Sequence, residues 1–182
     1  MEIRVYFEGH KDLRIGFERF FSELGSDVKF IAAKSGVSDF RKAARSHPKA
    51  WNILLKDSEK PLSQNSLKQH GLNSKHAKSV FWMVELMEAW FLADPEAVAL
   101  YYDDEKFSKK AIGKPQDVET IPKAEVIDRL KRATRQTTKG QYNKVTHAPK
   151  LLEKLRPALV KERAVNCRRL FEAISKLMAA ET

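Results

Sequence analysis

The chain holds one cysteine, Cys167, in 182 residues. That excludes an intramolecular disulfide and a cysteine-rich zinc site, and it favours a reducing compartment. No apolar run approaches the ~18 residues that a membrane span needs. Met1 leads directly into a charged strand, so no apolar signal segment is expected ahead of the fold. The expectation is a soluble, cytoplasmic protein with no membrane partner. Glycine is scarce: there are seven, and none has the spacing of a Walker or dinucleotide-binding loop. The histidines His10, His47, His70, His76 and His147 form no metal-ligand pair at helical spacing, and no Ser-His-Asp order stands out. Acidic charge is in deficit. Against 34 Lys and Arg stand 24 Asp and Glu, a formal charge of +10 and a pI near 9.7. An enzyme of small neutral metabolites has no need of that excess, whereas a phosphate backbone as partner explains it through counterion release.

What is present begins with alternating and continuous apolar runs. Ile3, Val5 and Phe7 alternate with polar neighbours, and Ile53-Leu54-Leu55 is a short continuous run; both read as strands. Asp12 can cap a helix to about Leu24, stopped by Gly25. Val28 to Ile31 reads as a second strand, Val37 to Arg45 as a helix, and Trp51 to Leu55 as the third strand. This β-α-β-α-β order argues for a parallel sheet with right-handed crossovers. Ser58 to Lys78 is polar, with a short helix around Leu67. Val80-Phe81-Trp82-Met83-Val84 is the densest apolar run and reads as a buried fourth strand ending at Glu85. Met87 to Leu92 continue into a helix that Asp94-Pro95 breaks, and a further helix runs from Glu96 to Tyr102. From Asp103 strand signals vanish. Phe107 to Ile121 reads as a long mobile surface loop, followed by basic helices at Lys123 to Thr134, Tyr142 to Leu155 and Arg163 to Met178. Residues 1–102 are thus expected to form an α/β core, and residues 103–182 a basic helical portion packed on it as one structural unit. The positive charge of that portion is expected to carry the electrostatic contact.

The chemistry-bearing residues stand where strands stop. Arg4 to Phe7 run into Glu8, Gly9 and Asp12, and the third strand runs into Asp57 and Glu59. Groups at the carboxyl ends of parallel strands gather in the crevice above the sheet, so these four carboxylates are expected to meet. Several carboxylates in one place repel unless a divalent cation lies between them, and hard oxygen ligands suit Mg2+ or Mn2+. Turn formation and helix capping explain isolated acids at strand ends equally well. Glu85 and Glu88 share one helix face; they can bind metal or simply occupy the positive end of a helix, and Asp94 can cap the helix at Pro95. Lys11, Lys139 and Lys144 are candidates to stabilise a leaving oxygen, with Lys144 preferred. Trp90 lies in an apolar stripe and reads as core.

The strand-Glu8-Gly9 motif with Asp12, followed by the strand-Asp57-x-Glu59 motif, resembles a Toprim domain, the metal-binding fold of topoisomerases, primases and overcoming-lysogenization-defect nucleases. The run Met87-Glu88-Ala89-Trp90-Phe91-Leu92-Ala93-Asp94 and the later Lys139-Gly140-Gln141-Tyr142-Asn143-Lys144 resemble a family of small Toprim-like bacterial proteins, catalogued as a domain of unknown function and often found beside ATPases in phage-defence loci. The resemblance implies a Toprim-like α/β fold with a mostly parallel four-stranded sheet, flanked by helices, and a helical C-terminal portion. It implies Glu8 as general acid or base or metal ligand, Asp12 as a further ligand, and Asp57 and Glu59 as the pair that holds magnesium; Glu88 is an outer candidate on its helix position, apart from the resemblance. Glu59 stands where aspartate is customary, and Lys60-Pro61 follows where a glycine is often found.

The reading is a magnesium-dependent (or manganese-dependent) nuclease or related phosphoryl-transfer enzyme acting on DNA or RNA, as the effector of an antiphage defence system, with Glu8 and Lys144 as catalytic residues. A partner ATPase and a homodimer are compatible with it. Its rival is a basic module of the same fold that binds nucleic acid or an ATPase without catalysis. Convergence of the four carboxylates favours the enzyme. A salt bridge through Lys11 or Lys56 filling that space favours the binder.

Overall fold

The computed structural model describes residues 2–114 and 116–180. Four strands, β1 (Ile3–Glu8), β2 (Val28–Ala33), β3 (Trp51–Asp57) and β4 (Val80–Met83), form one sheet. Their order is β2-β1-β3-β4 and every pairing is parallel. Each crossover carries helical structure: α1 (Leu13–Phe20) after β1, α2 (Val37–Ser46) after β2, and the single-turn α3 (Ser66–Gln69) between β3 and β4. Past β4 the described chain is helical: α4 (Ala89–Ala93), α5 (Pro95–Tyr102), α6 (Lys109–Ile112), α7 (Lys123–Thr134), α8 (Lys144–Lys154), α9 (Pro157–Arg163) and α10 (Val165–Ala179). The expected α/β architecture, with a parallel four-stranded sheet and a helical C-terminal part, is what the chain adopts.

Two corrections concern the helical part. The stretch expected to be a long loop, Phe107 to Ile121, contains α6 and a 3-10 turn at Val118–Thr120, with Ile112, Val118 and Ile121 buried. Three apolar anchors in a polar stretch suffice to pin it. The last helix begins at Val165, and the separate helix α9 precedes it, because Pro157 sets a helix start and Ala164 is extended.

The sheet has unequal coverings. On one face Ile3, Val5, Phe7, Ile53, Leu55 and Met83 join a large core that runs through α1, α4 and the helices after residue 102. Its centre is aromatic. Trp90 stacks on Phe20 at 5.3 Å, and Phe21 stacks on Phe171 of α10 at 4.6 Å and on Phe30 of β2 at 5.0 Å. Trp90 is 1% exposed, so it is core. On the other face Tyr6, Leu54, Val80 and Trp82 pack under Phe40 of α2 and Leu72 in a smaller cluster.

The large core requires α1 and α8 to approach closely at Gly16. A Cβ there would stand 2.8 Å from the Pro149 carbonyl oxygen and 3.0 Å from Leu152 Cβ. Gly16→Ala would gain up to about 1 kcal/mol of helix propensity, but forcing a methyl against backbone costs about 1–3 kcal/mol. The clash wins. Urea unfolding of the variant should show a net loss of roughly 1–2 kcal/mol; an equal or higher midpoint would show that α8 is free to slide.

Candidate active site at the carboxyl edge of the sheet

Strand register decides where the carboxylates go. Phe7 of β1 lies opposite Leu55 of β3, which brings Glu8 level with Lys56. Successive side chains on a strand point to opposite faces. Phe7 and Leu55 belong to the large core, and Tyr6 and Leu54 to the small one. Glu8 and Lys56 therefore emerge together on the α2 face, while Asp57 emerges on the helical face. Lys56, itself buried, is ion-paired with Glu8. Gly36 at the start of α2 has φ +49°, and a Cβ there would stand 3.5 Å from a Glu8 carboxylate oxygen, so backbone approaches the carboxylate from the second side.

Asp57 lies in a different setting. Its Oδ1 accepts a hydrogen bond from the Met87 backbone N–H at 2.8 Å, and its side chain is 13% exposed. Lys144 Nζ lies 3.4 Å from Asp57 Oδ2 and 3.2 Å from Glu88 Oε2. Glu88 is 1% exposed, and its Oε1 accepts from the Tyr142 hydroxyl at 3.1 Å. Two carboxylates thus share one ammonium, an arrangement one positive charge short of neutral. Burial raises the Asp57 pKa from its ordinary 3.8 to about 6; Lys144 works against the rise and Glu88 adds to it. Burial opposes the Lys144 charge as well, yet the two carboxylates outweigh it and hold its pKa above the ordinary lysine value. The phenol of Tyr142 is driven far up by burial and by Glu88, so it serves as a neutral donor.

The Lys139–Lys144 motif has a part for most of its members. Gly140 takes φ +77°, turning the chain after α7. Lys139 Nζ donates to the Tyr102 carbonyl at 3.0 Å. The Tyr142 N–H donates to Thr134 Oγ1 at 2.7 Å, fixing the tyrosine beneath Glu88. Asn143 caps α8, accepting from Val145 N–H at 3.0 Å and Thr146 N–H at 3.2 Å. Lys144, first residue of that helix, is aimed at the carboxylates.

Glu59 and Glu85 form a third group. Both have positive φ, 62° and 54°, which costs a non-glycine residue about 1–3 kcal/mol and is tolerated where surrounding structure insists on it. Here Glu59 N–H donates to the Glu85 carbonyl at 2.9 Å, and Glu85 N–H donates to Ser58 Oγ at 2.7 Å. Lys123 at the start of α7 joins them: its ammonium pairs with Glu59, and its backbone N–H donates to Glu85 Oε2 at 2.6 Å.

The four carboxylates expected to meet therefore do not form one cluster. Asp12 is exposed and pairs with His10 at 2.9 Å. Glu8 is drawn to Lys56, Glu59 to Lys123, and Asp57 to Lys144. Glu88, expected as an outer ligand, is instead the carboxylate that shares a cation with Asp57. Asp94 is structural: fully buried, it caps α5 through Ala97 N–H and accepts from Arg156 N at 2.9 Å, Nε at 3.0 Å and Nη2 at 2.5 Å. Among the described residues, no three His, Cys, Asp or Glu side chains are grouped so as to hold a metal ion. Sequence patterns alone reveal neither Tyr142 nor Lys123 as a member of these groups. Tyr142 does lie inside the Lys139–Lys144 motif; Lys123 stands 38 residues from Glu85, and no local pattern points to it.

These features define an all-parallel α/β protein with acidic groups and lysines interleaved along the carboxyl edge of its sheet. The chain belongs to the DUF4276 family, a domain of unknown function, whose sequence model matches residues 13–175. Asp57, Glu88, Tyr142 and Lys144 fall inside that stretch; Glu8 and Asp12 precede it. No curated protein and no solved structure matches the chain. Among the described residues, no helix is long and apolar enough to cross a membrane.

The raised pKa of Asp57 has a consequence for stability. A carboxyl whose folded pKa lies above its unfolded value binds its proton more tightly when folded, so stability falls as pH rises through that interval. In metal-free buffer the penalty is absent below about pH 4 and complete above about pH 6. At 1.36 kcal/mol per unit, it reaches roughly 2–3 kcal/mol. Asp57→Asn, which can still accept from Met87 N–H, should match the wild type at pH 4 and exceed it by that amount at pH 8. Parallel stability curves for the two proteins would show that Lys144 neutralises Asp57 fully.

Proposed function

We propose that the protein is a Toprim-like, magnesium-dependent phosphoryl-transfer enzyme acting on nucleic acid, a nuclease in its simplest form, with Asp57 and Glu88 as the cation-holding pair. One observation carries the reading. Two carboxylates, one buried and one nearly so, meet at a half-exposed cation, and together they hold one negative charge more than that cation supplies. Magnesium keeps several of its waters and uses only one or two protein carboxylates, so this pair fits it, whereas Glu8, Asp12 and Glu59 each answer to a different basic partner. When bound, such an ion neutralises a phosphate and lowers the pKa of a coordinated water.

The chain's own groups supply the rest. Met87 N–H and Tyr142 OH fix the two carboxylates, so a substrate meets them already oriented. Lys144, 48% exposed, reaches both the pair and solvent, where its ammonium can stabilise negative charge on a leaving oxygen. Glu8 stands at the same edge on the opposite face, available as acid or base once Lys56 is turned to a phosphate. The net charge of +10 suits a polyanionic substrate, and the family resemblance points to a partner ATPase and a role in defence against phage.

A second reading rests on both features that favour a binder: the four carboxylates do not converge, and Lys56 pairs with Glu8. An ion pair filling the space before Glu8 is what a non-catalytic binding module would show, and such a module would hold nucleic acid or an ATPase with its carboxylates permanently neutralised.

Mg2+ or Mn2+ should raise the melting temperature of the wild type by mass action, and the wild type should cleave DNA or RNA when either ion is present. Asp57→Asn and Glu88→Gln should abolish the thermal shift and lower cleavage by about 10²-fold or more, while Asp12→Asn stays within a few-fold. A wild type that neither shifts nor cleaves, with or without its ATPase partner, leaves the binding-module reading. Cleavage unchanged in Glu8→Gln confines the chemistry to the helical face.

A further inference from the structure

The positive charge of this protein is unevenly placed. Residues 34–49 carry five Lys and Arg and a single acid, Asp39; residues 60–78 carry four Lys and no acid at all. Both segments cover the same face of the sheet, the one packed by Phe40 and Leu72. All nine of these basic side chains are exposed, and among the described residues none of them enters an ion pair. The helical portion from Asp103 onward differs: its nineteen Lys and Arg stand among eleven acids, and many are already paired, as Arg129 with Glu125, Arg132 with Asp128, Lys150 with Glu153 and Arg168 with Glu172.

The two basic segments are joined. Arg41 donates to the Gly71 carbonyl, and the Phe40 and His76 rings meet edge to face at 6.1 Å. Between them runs a groove lined by Phe40, Arg41, Ala44, Arg45 and His76. Arg41 and Arg45 are one turn apart on α2 and so lie on one stripe. The groove lies along the later turns of α2, while both segments start at the carboxyl edge: α2 begins at Gly36 against Glu8, and the 60–78 segment begins where Ser58 Oγ donates to the Lys60 carbonyl at 2.6 Å.

We propose that this α2 face is the surface that holds the nucleic-acid backbone, with the strand lying along the groove and its end delivered to the carboxyl edge. The proposal rests on the reading of nucleic acid as partner, and it moves the electrostatic contact from the C-terminal helices to this face. Unpaired cations release counterions fully when they meet phosphates, whereas a lysine or arginine already held by a carboxylate must first leave it. A ten-residue helix such as α2 is about 15 Å long, enough to lie along about two phosphates of one strand. An anionic membrane would call for apolar side chains to insert among the cations. Within the two segments Leu62 alone is an exposed large hydrophobic.

The test is fluorescence anisotropy with labelled 30-residue single-stranded DNA, duplex DNA and RNA, in EDTA so that no cleavage intervenes, over a salt series. Arg41→Glu/Arg45→Glu should weaken binding about tenfold or more and flatten the log-log salt slope by about 1–2, the share of two phosphates. Lys131→Glu/Arg135→Glu, exposed on and after α7 with no acid paired to them among the described residues, should stay within twofold. Lys75→Glu/Lys78→Glu, on the other wall of the groove, should reproduce the first loss, and it decides the matter if the α2 variant fails to fold by circular dichroism. Unchanged binding in folded α2 and Lys75/Lys78 variants overturns the proposal, as does a larger loss in the α7 variant. Binding of the wild type to phosphatidylserine vesicles but to none of the three nucleic acids overturns it too, in favour of a membrane surface. Binding through this face without any metal-dependent cleavage leaves the proposal standing and removes the catalytic reading. Cleavage with full binding in the reversed variants does the opposite.

Discussion

Adjacent residues on a strand point to opposite faces of the sheet, and this alternation governs how the protein distributes its charge. Lys56 and Asp57 follow one another at the end of β3, yet one faces the thin layer made by α2 and the other faces the thick helical layer. Glu8 and Asp57 are separated by that step. Glu8, 41% exposed, falls with Lys56 in a shallower setting. Asp57 falls with Glu88 in a deep one. The two settings share an edge but differ in dielectric, and hence in what a charge costs in each.

In the deep setting, removing two carboxylates from water is expensive, and a single ammonium does not offset it. The protein answers with oriented donors from three places: the Met87 backbone after β4, the Tyr142 hydroxyl after α7 and the Lys144 ammonium at the start of α8. The network therefore ties the end of the sheet to helices far along the chain, with Tyr142 and Glu88 54 residues apart. Well-packed apolar residues could fill the same volume at no electrostatic cost. A buried polar cluster left one charge short can take up a cation or a proton. Asp94 and Arg156 show the contrast. Burial pushes the Asp94 carboxyl up, yet its arginine and the backbone donors at its cap saturate it and hold its pKa below the ordinary value.

Much of the fold is legible in the sequence because it depends on local patterns. The alternation of Ile3, Val5 and Phe7, the apolar runs at β3 and β4 and the intervening helical stretches lead directly to a parallel sheet, and the Asp94-Pro95 break falls where α4 gives way to α5. The site is legible only in parts. Strand ends identify Glu8, Asp57 and Glu59 as candidates, but whether they converge turns on a register of one residue, which neither composition nor spacing contains. Glu88 stands out for its motif, and its partnership with Asp57 follows from the turn after β4, where Glu85 is forced into the left-handed region. Charge misleads for a related reason. Counting lysines and arginines along the chain makes the C-terminal helices the basic surface, whereas pairing, which is a property of the folded surface, leaves the α2 face with the denser free charge.

The two faces complement each other if a phosphodiester chain is the substrate. A strand held by the α2 layer would approach the carboxyl edge past Glu8 and Lys56, where a phosphate competes with Glu8 for the lysine. Releasing Glu8 in this way frees a carboxylate only when a phosphate is present, so the ion pair that argues for an inert module in the empty protein can equally act as a guard. On the other side of β3, Lys144 stands between its carboxylates and solvent, and a phosphate arriving there meets a cation before it meets the acids. A polyanion approaching an acidic site needs such intermediaries, since bare carboxylates would repel it. The lysines that close this edge in the free protein are therefore also the groups best placed to admit a phosphate to it.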